Sequence, residues 1–567
     1  MLKRIYTYRP ITIITCILTI LNMMFYFSMR CIWTGIGKFL NGNQDIPNYL
    51  MIGFVVLVVI AWLMAWLRMD RIAIWFVFGI SIILDVALFF IIKLGAWDYL
   101  LFILEEFKDA ILFGLGIVAI VWIIFYYSSS KLAKMEFLKI IILGLIIILS
   151  LSFALGLGIN RLKLYPTVYA VEDDYQVVFT TSTDATVWVK VGDDVYYDTY
   201  AGSQKSEQKV HKVIIPMDKL NESKNYQINI QQILMRGPYG TFKGQEKSYN
   251  FNFKPIDTTD GFKYYTLSDS HGKKKATIKV ASYYEDDLDL LVLLGDISSF
   301  LEKEKNIELI GKVAYGITKG EIPVVYARGN HETKGTLADQ LYKYVGSKNE
   351  KFYFTFTLGE IFGVVLDGGE DHNDDWWEYY GLSRFEEYRN DQTEFLKDII
   401  ANKEIYYDND KIKFKMAICH FVIPYVSKSG FLSDVKDTWT KLLNEINVDV
   451  LYSGHEHEIF PIIPGTFTPY TDLKYSNIAY TTKKSTNEGY FTDAKFTSFV
   501  VSKHSDVQNI FKSQDQLDSK ICGVANEIDK DFTTLKVSYT NRFMEKMDIV
   551  DPFSTKVYGK DIIINLK

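Results

Sequence analysis

Five apolar runs within the first 160 residues constrain this chain more than any other feature. They cover about 10–29, 49–67, 72–92, 110–127 and 140–158, and each approaches the roughly 20 residues that a helix needs to cross the hydrocarbon core of a bilayer. An odd number of crossings puts the two ends of the chain on opposite sides of a membrane. Charge divides at the same place: residues 1–160 hold 12 Lys/Arg and 8 Asp/Glu, against 50 and 60 in residues 161–567. The first part therefore reads as an α-helical transmembrane bundle and the rest as an acidic, water-exposed part of net charge −10. The first run follows Lys3, Arg4 and Arg9 and has no small-residue cleavage site after it, so it reads as a retained anchor.

Basic residues in the short loops set the orientation. With the N-terminus in the cytoplasm, Lys3, Arg4, Arg9, Arg68, Arg71, Lys131, Lys134 and Lys139 lie inside, against Arg30, Lys38, Lys93, Lys108, Arg161 and Lys163 outside. This bias predicts a multi-pass cell-membrane protein with its C-terminal part outside the cytoplasm. Asp85, inside the third run, is costly there; a hydrogen bond within the bundle accounts for it without a transport path. The acidic balance excludes a non-specific nucleic-acid binder, which needs a basic face. An aromatic content of 15% gives ample material for cores and excludes disorder. Cys16, Cys31, Cys419 and Cys522 form no CxxC pair and no disulfide framework.

From 165 to 255 short alternating strands recur, among them Tyr175–Phe179, Thr186–Val191, Lys209–Ile215 and Tyr226–Ile230, which suggests a small antiparallel β-sandwich. From 256 to 510 the order becomes strand, helix, strand, implying an α/β domain. The segment 511–567 carries no motif and is expected to pack on that domain.

The chemistry lies at the ends of the α/β strands, where open sheets place ligands. Ser268-Asp269-Ser270-His271-Gly272, Gly295-Asp296, Gly329-Asn330-His331-Glu332, His420 and Gly454-His455-Glu456-His457 each follow an apolar run. Five of the eight histidines fall in these clusters. Oxygen and imidazole ligands converging from several strand ends are what a pair of divalent cations needs, with a carboxylate to bridge them. Histidines two apart, as in His455 and His457, cannot share one helix face, but a loop can turn each towards a different ion.

The ordered set DxH, GD, GNHE, a lone His and GHxH resembles the calcineurin-like metallophosphoesterase superfamily. Trp188, the corner Leu220–Tyr226 and the strand Tyr249–Phe253 resemble the fibronectin type III-like domain that precedes the catalytic domain of purple acid phosphatases, so the chain is most similar to that branch. The resemblance implies a four-layer α/β/β/α sandwich and hydrolysis of phosphate esters by a metal-bound hydroxide. It also implies that Asp269, His271 and His457 hold one ion, that Asn330, His420 and His455 hold the other, and that Asp296 bridges them. His331 would be the acid that donates to the leaving or phosphoryl oxygen.

Ser299 stands where purple acid phosphatases usually carry a tyrosine three residues after the bridging aspartate, and DxH replaces their DxG-type set. A Mn, Fe(II) or Zn pair therefore fits better than a purple ferric centre. Arg328, beside GNHE, is a candidate phosphate contact or a packing residue. His372, on the polar and aromatic insertion 368–377, either shapes substrate choice or belongs to a solvated loop. The expected partners are a phosphate-ester substrate, in solution, in the envelope or on a lipid, and membrane lipid. The competing reading is a non-hydrolytic receptor or sensor that binds phosphate ligands.

Overall fold

The computed structural model describes residues 160–566 apart from 201, 238–239, 371, 377–378, 380, 425–431, 458, 466, 472–483, 502–520 and 551–556. The five apolar runs, Asp85 and the basic residues between the runs lie outside the described residues. Among the described residues no helix is long and apolar enough to cross a membrane.

Apart from the two-residue strands Thr199–Tyr200 and Gln204–Lys205, six strands come first: β1 (Leu162–Val171), β2 (Asp174–Val191), β3 (Asp194–Tyr197), β4 (Gln208–Pro216), β5 (Asn225–Gly237) and β6 (Gly240–Asn252). Their pairing is antiparallel, and alternate residues such as Val187, Val189, Ile228 and Ile230 are buried, the period-2 pattern of a half-buried strand. The 18-residue β2 has two sets of neighbours: its first half lies between β1 and β4, and its last residues between β3 and β5.

These strands do not stand apart as the separate 165–255 sandwich that the alternation suggests. Every residue of β1 from Pro166 to Val171 is buried, and a strand buried on both faces takes neighbours on both edges. Through Val168 and Tyr169, β1 pairs in parallel with a strand of the α/β domain, β9. Tyr226, at the predicted corner, donates its hydroxyl to the Gly320 carbonyl at 2.8 Å, again reaching the α/β domain.

That domain begins with β7 (Phe262–Leu267), β8 (Leu290–Leu293) and β9 (Pro323–Tyr326), which pair in parallel and connect through α1 (Lys274–Ala281) and α2 (Glu304–Thr318). A second sheet contains β10 (Phe354–Leu358), β11 (Ile361–Leu366), β12 (Phe414–Cys419), β13 (Val450–Ser453), β14 (Ile459–Ile462) and β15 (Thr497–Val501), in the order β10-β11-β12-β13-β15-β14. Its two faces differ. Met416, Ile418, Val450 and Tyr452 join the core shared with the first sheet. Val364, Leu366, Ala417 and Leu451 form a second core with Leu396 and Ile399 of α3 (Phe385–Ala401) and Trp439, Leu443 and Ile446 of α4 (Ser433–Ile446). The layers are helix, sheet, sheet, helix, as expected for this domain.

Residues past 510 complete the first sheet. β16 (Cys522–Ile528) pairs antiparallel with β7, and β17 (Thr534–Asn541) and β18 (Ile562–Asn565) follow, so the α/β domain runs beyond 510 to the last strand. Between the sheets lies a buried polar chain. Tyr452 donates its hydroxyl to Asn526 Oδ1 at 2.7 Å, Tyr264 donates to Tyr452 at 2.7 Å, and Asn526 Nδ2 donates to Thr266 Oγ1 at 3.0 Å. Such a network ties sheets together only while every member is satisfied. Asn526→Leu strands the Tyr452 hydroxyl and Thr266 Oγ1, at a cost of about 1–3 kcal/mol per buried group. A thermal melt that is unchanged from the parent's would contradict this account of the inter-sheet contact.

Candidate metal centre

Every predicted ligand follows the C-terminal end of a parallel strand. Asp269 and His271 follow β7, Asp296 follows β8, Asn330 and His331 follow β9, His420 follows β12, and His455 and His457 follow β13. The local backbone is unusual. Asp269, His271, Asp296, His455 and His457 adopt φ of 51°, 41°, 53°, 70° and 53°, the left-handed region that costs a non-glycine residue on the order of 1–3 kcal/mol. Strain concentrated on five of the predicted ligands marks a place where the fold sacrifices local comfort to aim side chains.

The side chains converge. One ligand atom each from Asp269, His271, Asp296 and His457 lies within 4.8 Å of all the others. Asp296 Oδ2 is 3.6 Å from His271 Nε2 and 3.4 Å from His420 Nε2. Asp269 Oδ1 is 3.3 Å from His457 Nε2, and His271 Nε2 is 3.3 Å from His457 Nε2. Ligands about 2.1 Å from one ion and separated by angles near 90–110° stand about 3.0–3.4 Å apart, so these spacings suit atoms sharing a cation.

The polar atoms test the fit independently. Asp269 Oδ1, Asn330 Oδ1 and His420 Nε2 are buried and make no hydrogen bond, a costly state for a polar atom unless something else engages it. They belong to the predicted ligand set, so the residues present fit a divalent metal site. His420 donates Nδ1–H to the Leu294 carbonyl at 2.6 Å, because a carbonyl only accepts, and this leaves Nε2 as the ligating nitrogen. The His455 ring lies 5.3 Å from that of His420, centroid to centroid.

Electrostatics at the cluster is set by burial and by the mixture of charges. Burial alone would raise the Asp269 and Asp296 carboxyls, but the surrounding imidazoles hold both well below the usual carboxylate range. Burial lowers His455 to about 4, whereas Asp296 overcomes burial at His420 and raises it to about 10.

Glu332 and Glu370 had no role in the sequence reading. Glu332 is fully buried and accepts the backbone N–H groups of Asp296, Ser298 and Gly329 at 2.7, 2.9 and 3.0 Å. It clamps the loops after β8 and β9 together. Burial, then the Asp296 charge, pushes its carboxyl up to about 8; the N–H groups of Ser298 and Asp296 act against that shift. Glu370 accepts Asn330 Nδ2 at 3.2 Å. Its sequence signal was lost among the acidic residues of 370–375.

Three further residues stand as follows. His331 donates Nδ1–H to the Ser299 carbonyl at 2.8 Å and places Nε2 4.0 Å from Asp296 Oδ2, at the partly exposed edge of the cluster. Arg328 pairs with Asp367 Oδ2 at 2.7 Å and packs over Phe352 at 4.5 Å, so its guanidinium is held by the fold and the packing alternative describes it. His372 stacks on Trp376 at 4.1 Å.

Residues 262–458 match the model of the calcineurin-like phosphoesterase family (Metallophos), and this part of the chain is a calcineurin-like phosphoesterase domain. Among solved structures the chain is similar to a purple acid phosphatase from yellow lupin (Lupinus luteus) seeds, with 15% identity, a TM-score of 0.42, and coverage of 72% of this chain and 74% of that one. It is also similar to PhoD, with 12% identity, a TM-score of 0.39 and coverage of 71% and 88%. A dimetal phosphatase from Danio rerio matches at 12% identity and a TM-score of 0.34, over 54% of this chain and 99% of that one. No curated protein matches the sequence.

Gly454 shows how little room the ligands have. A Cβ there would stand 2.0 Å from Ser268 Oγ and 2.7 Å from Asp269 Oδ2. Gly454→Ala should displace the Asp269 carboxylate and weaken Mn(II) binding by about tenfold or more, measured by equilibrium dialysis, with the far-UV circular dichroism spectrum retained. Parental affinity in that variant would remove Asp269 from the ligand set.

Proposed function

We propose that the chain is a membrane-anchored phosphoesterase, of the purple acid phosphatase-like branch, that hydrolyses phosphate mono- or diesters outside the cytoplasm with two divalent cations (Mn, Fe or Zn). The observation that carries this reading is Asp296 Oδ2, a buried carboxylate oxygen 3.6 Å from His271 Nε2 and 3.4 Å from His420 Nε2. Two cations, when bound, supply an acidified water and positive charge against the phosphoryl oxygens.

The chain's own residues hold and aim. Asp269, His271 and His457 would hold one cation, Asn330, His420 and His455 the other, and Asp296 both. His331 is assigned the proton to the leaving oxygen. Its Nδ1–H is committed to Ser299, so Nε2 donates only when the ring is protonated. Burial lowers its pKa, which the Asp296 charge opposes. A complete ligand set favours an enzyme over a phosphate sensor.

The five apolar runs and the inward bias of Lys and Arg support the anchor and the outward orientation. A five-helix anchor exceeds what tethering needs, which makes a lipid-linked or envelope phosphate a substrate class to test. The full chain, supplied with Mn, Zn or Fe, should cleave mono- or bis-(4-nitrophenyl) phosphate and lose activity to a chelator. Asp296→Asn should lower kcat/KM by more than about a hundredfold, since even outer partners of metal ligands approach that loss. No cleavage of either ester with any of these metals would overturn the hydrolase reading. On intact cells, impermeant labels should reach residues after Tyr165; exclusively cytoplasmic labelling would reverse the orientation.

A further inference from the structure

The amide of Asn330 is a ligand that could point either way, because the oxygen and nitrogen of an asparagine are nearly the same size and only their partners decide between them. Here the partner is a carboxylate. Asn330 Nδ2 lies 3.2 Å from Glu370 Oε1 and 3.4 Å from Glu370 Oε2. A carboxylate accepts and does not donate, so the nitrogen must face Glu370 and the oxygen must face away from it. Asn330 Oδ1 is the buried atom without a hydrogen bond noted above.

We propose that Glu370 is a positioning residue that fixes the Asn330 amide with its oxygen towards the second cation; this rests on the dinuclear reading given under the proposed function.

Glu370 is itself held on several sides. It is 1% exposed, pairs with Lys334 Nζ at 2.9 Å and accepts the Tyr379 hydroxyl. Arg389 of α3 donates Nη1–H to the Glu370 carbonyl at 3.2 Å and to the Gly368 carbonyl at 3.1 Å. A second helix layer therefore reaches the site through one loop. Lys334 compensates the buried carboxylate, which would otherwise be a costly isolated charge. Both Glu370 carboxylate oxygens lie within reach of Asn330 Nδ2, so its action on a cation is assigned to the Asn330 amide.

Glu370→Gln separates positioning from bulk. Lys334 can only donate, so it keeps the new amide oxygen on its own side and turns the new NH2 towards Asn330. The Asn330 amide must then rotate, presenting Nδ2 to the cation. The parent chain should bind two Mn(II), counted by calorimetry and by electron paramagnetic resonance of free Mn(II). Glu370→Gln should keep the first with parental affinity and bind the second about 10–100-fold more weakly, the range known for outer partners of metal ligands.

Adding Asn330→Asp to Glu370→Gln should restore the second site, because a carboxylate has two like ends. Asn330→Asp alone sets two carboxylates face to face and should not raise affinity. A merely structural Glu370 would weaken both sites, lower the melting temperature in chelator and show no rescue, which would overturn the inference. Parental affinity for both ions in Glu370→Gln would overturn it while leaving the hydrolase reading intact. Fewer than two ions in the parent would overturn both.

Discussion

Asp296 sets a carboxylate oxygen, almost without exposure to water, within 3.6 Å of one imidazole and 3.4 Å of another on the opposite sheet. Burying a charge in this way is unfavourable unless it is compensated by hydrogen bonds and opposite charge. The fold supplies both. His331 donates its backbone N–H to Asp296 Oδ1 at 3.0 Å, and Glu332 holds the Asp296 backbone N–H at 2.7 Å. The remaining oxygen, Oδ2, faces the imidazoles of His271 and His420, and the proposed cations would supply its compensation.

The two-sheet architecture exists, from the site's point of view, to bring β7, β8 and β9 of one sheet to the same edge as β12 and β13 of the other. Inter-sheet contacts beneath the site keep those strand ends in register. Tyr264 and Tyr452 meet edge to face at 5.8 Å with their hydroxyls bonded, and Asn526 closes the chain from a strand far along the sequence. Packing at the base and strain at the tips are linked: left-handed turns at five ligands persist because the strands below them cannot move.

Much of this was legible without coordinates, and the reasons are local. A short apolar run ending in Gly-Asp or Gly-Asn-His-Glu announces both the strand and the polar residue at its end, so the strand-end positions of Asp269, Asp296, Asn330, His420 and His455 could be placed in advance. Relations between distant segments left no such mark. The parallel pairing of β1 with β9 joins Tyr169 to Val324, and no pattern near either residue reveals it. The strands after 520 looked featureless because an antiparallel edge needs only alternation. Arg328 invited a phosphate role until Asp367, a partner 39 positions on, accounted for its charge. Glu370 was one acidic residue among several, and only its distance to Asn330 distinguishes it.

The central claim is that two cations share Asp296. Electron paramagnetic resonance of the full chain loaded with two equivalents of Mn(II) tests it most directly, because ions bridged by a carboxylate are exchange-coupled and ions in separate sites are not. The account predicts the multiline spectrum of a coupled pair, converted to that of isolated ions by Asp296→Ala. A six-line spectrum of independent Mn(II) in the parent chain at full loading would contradict it.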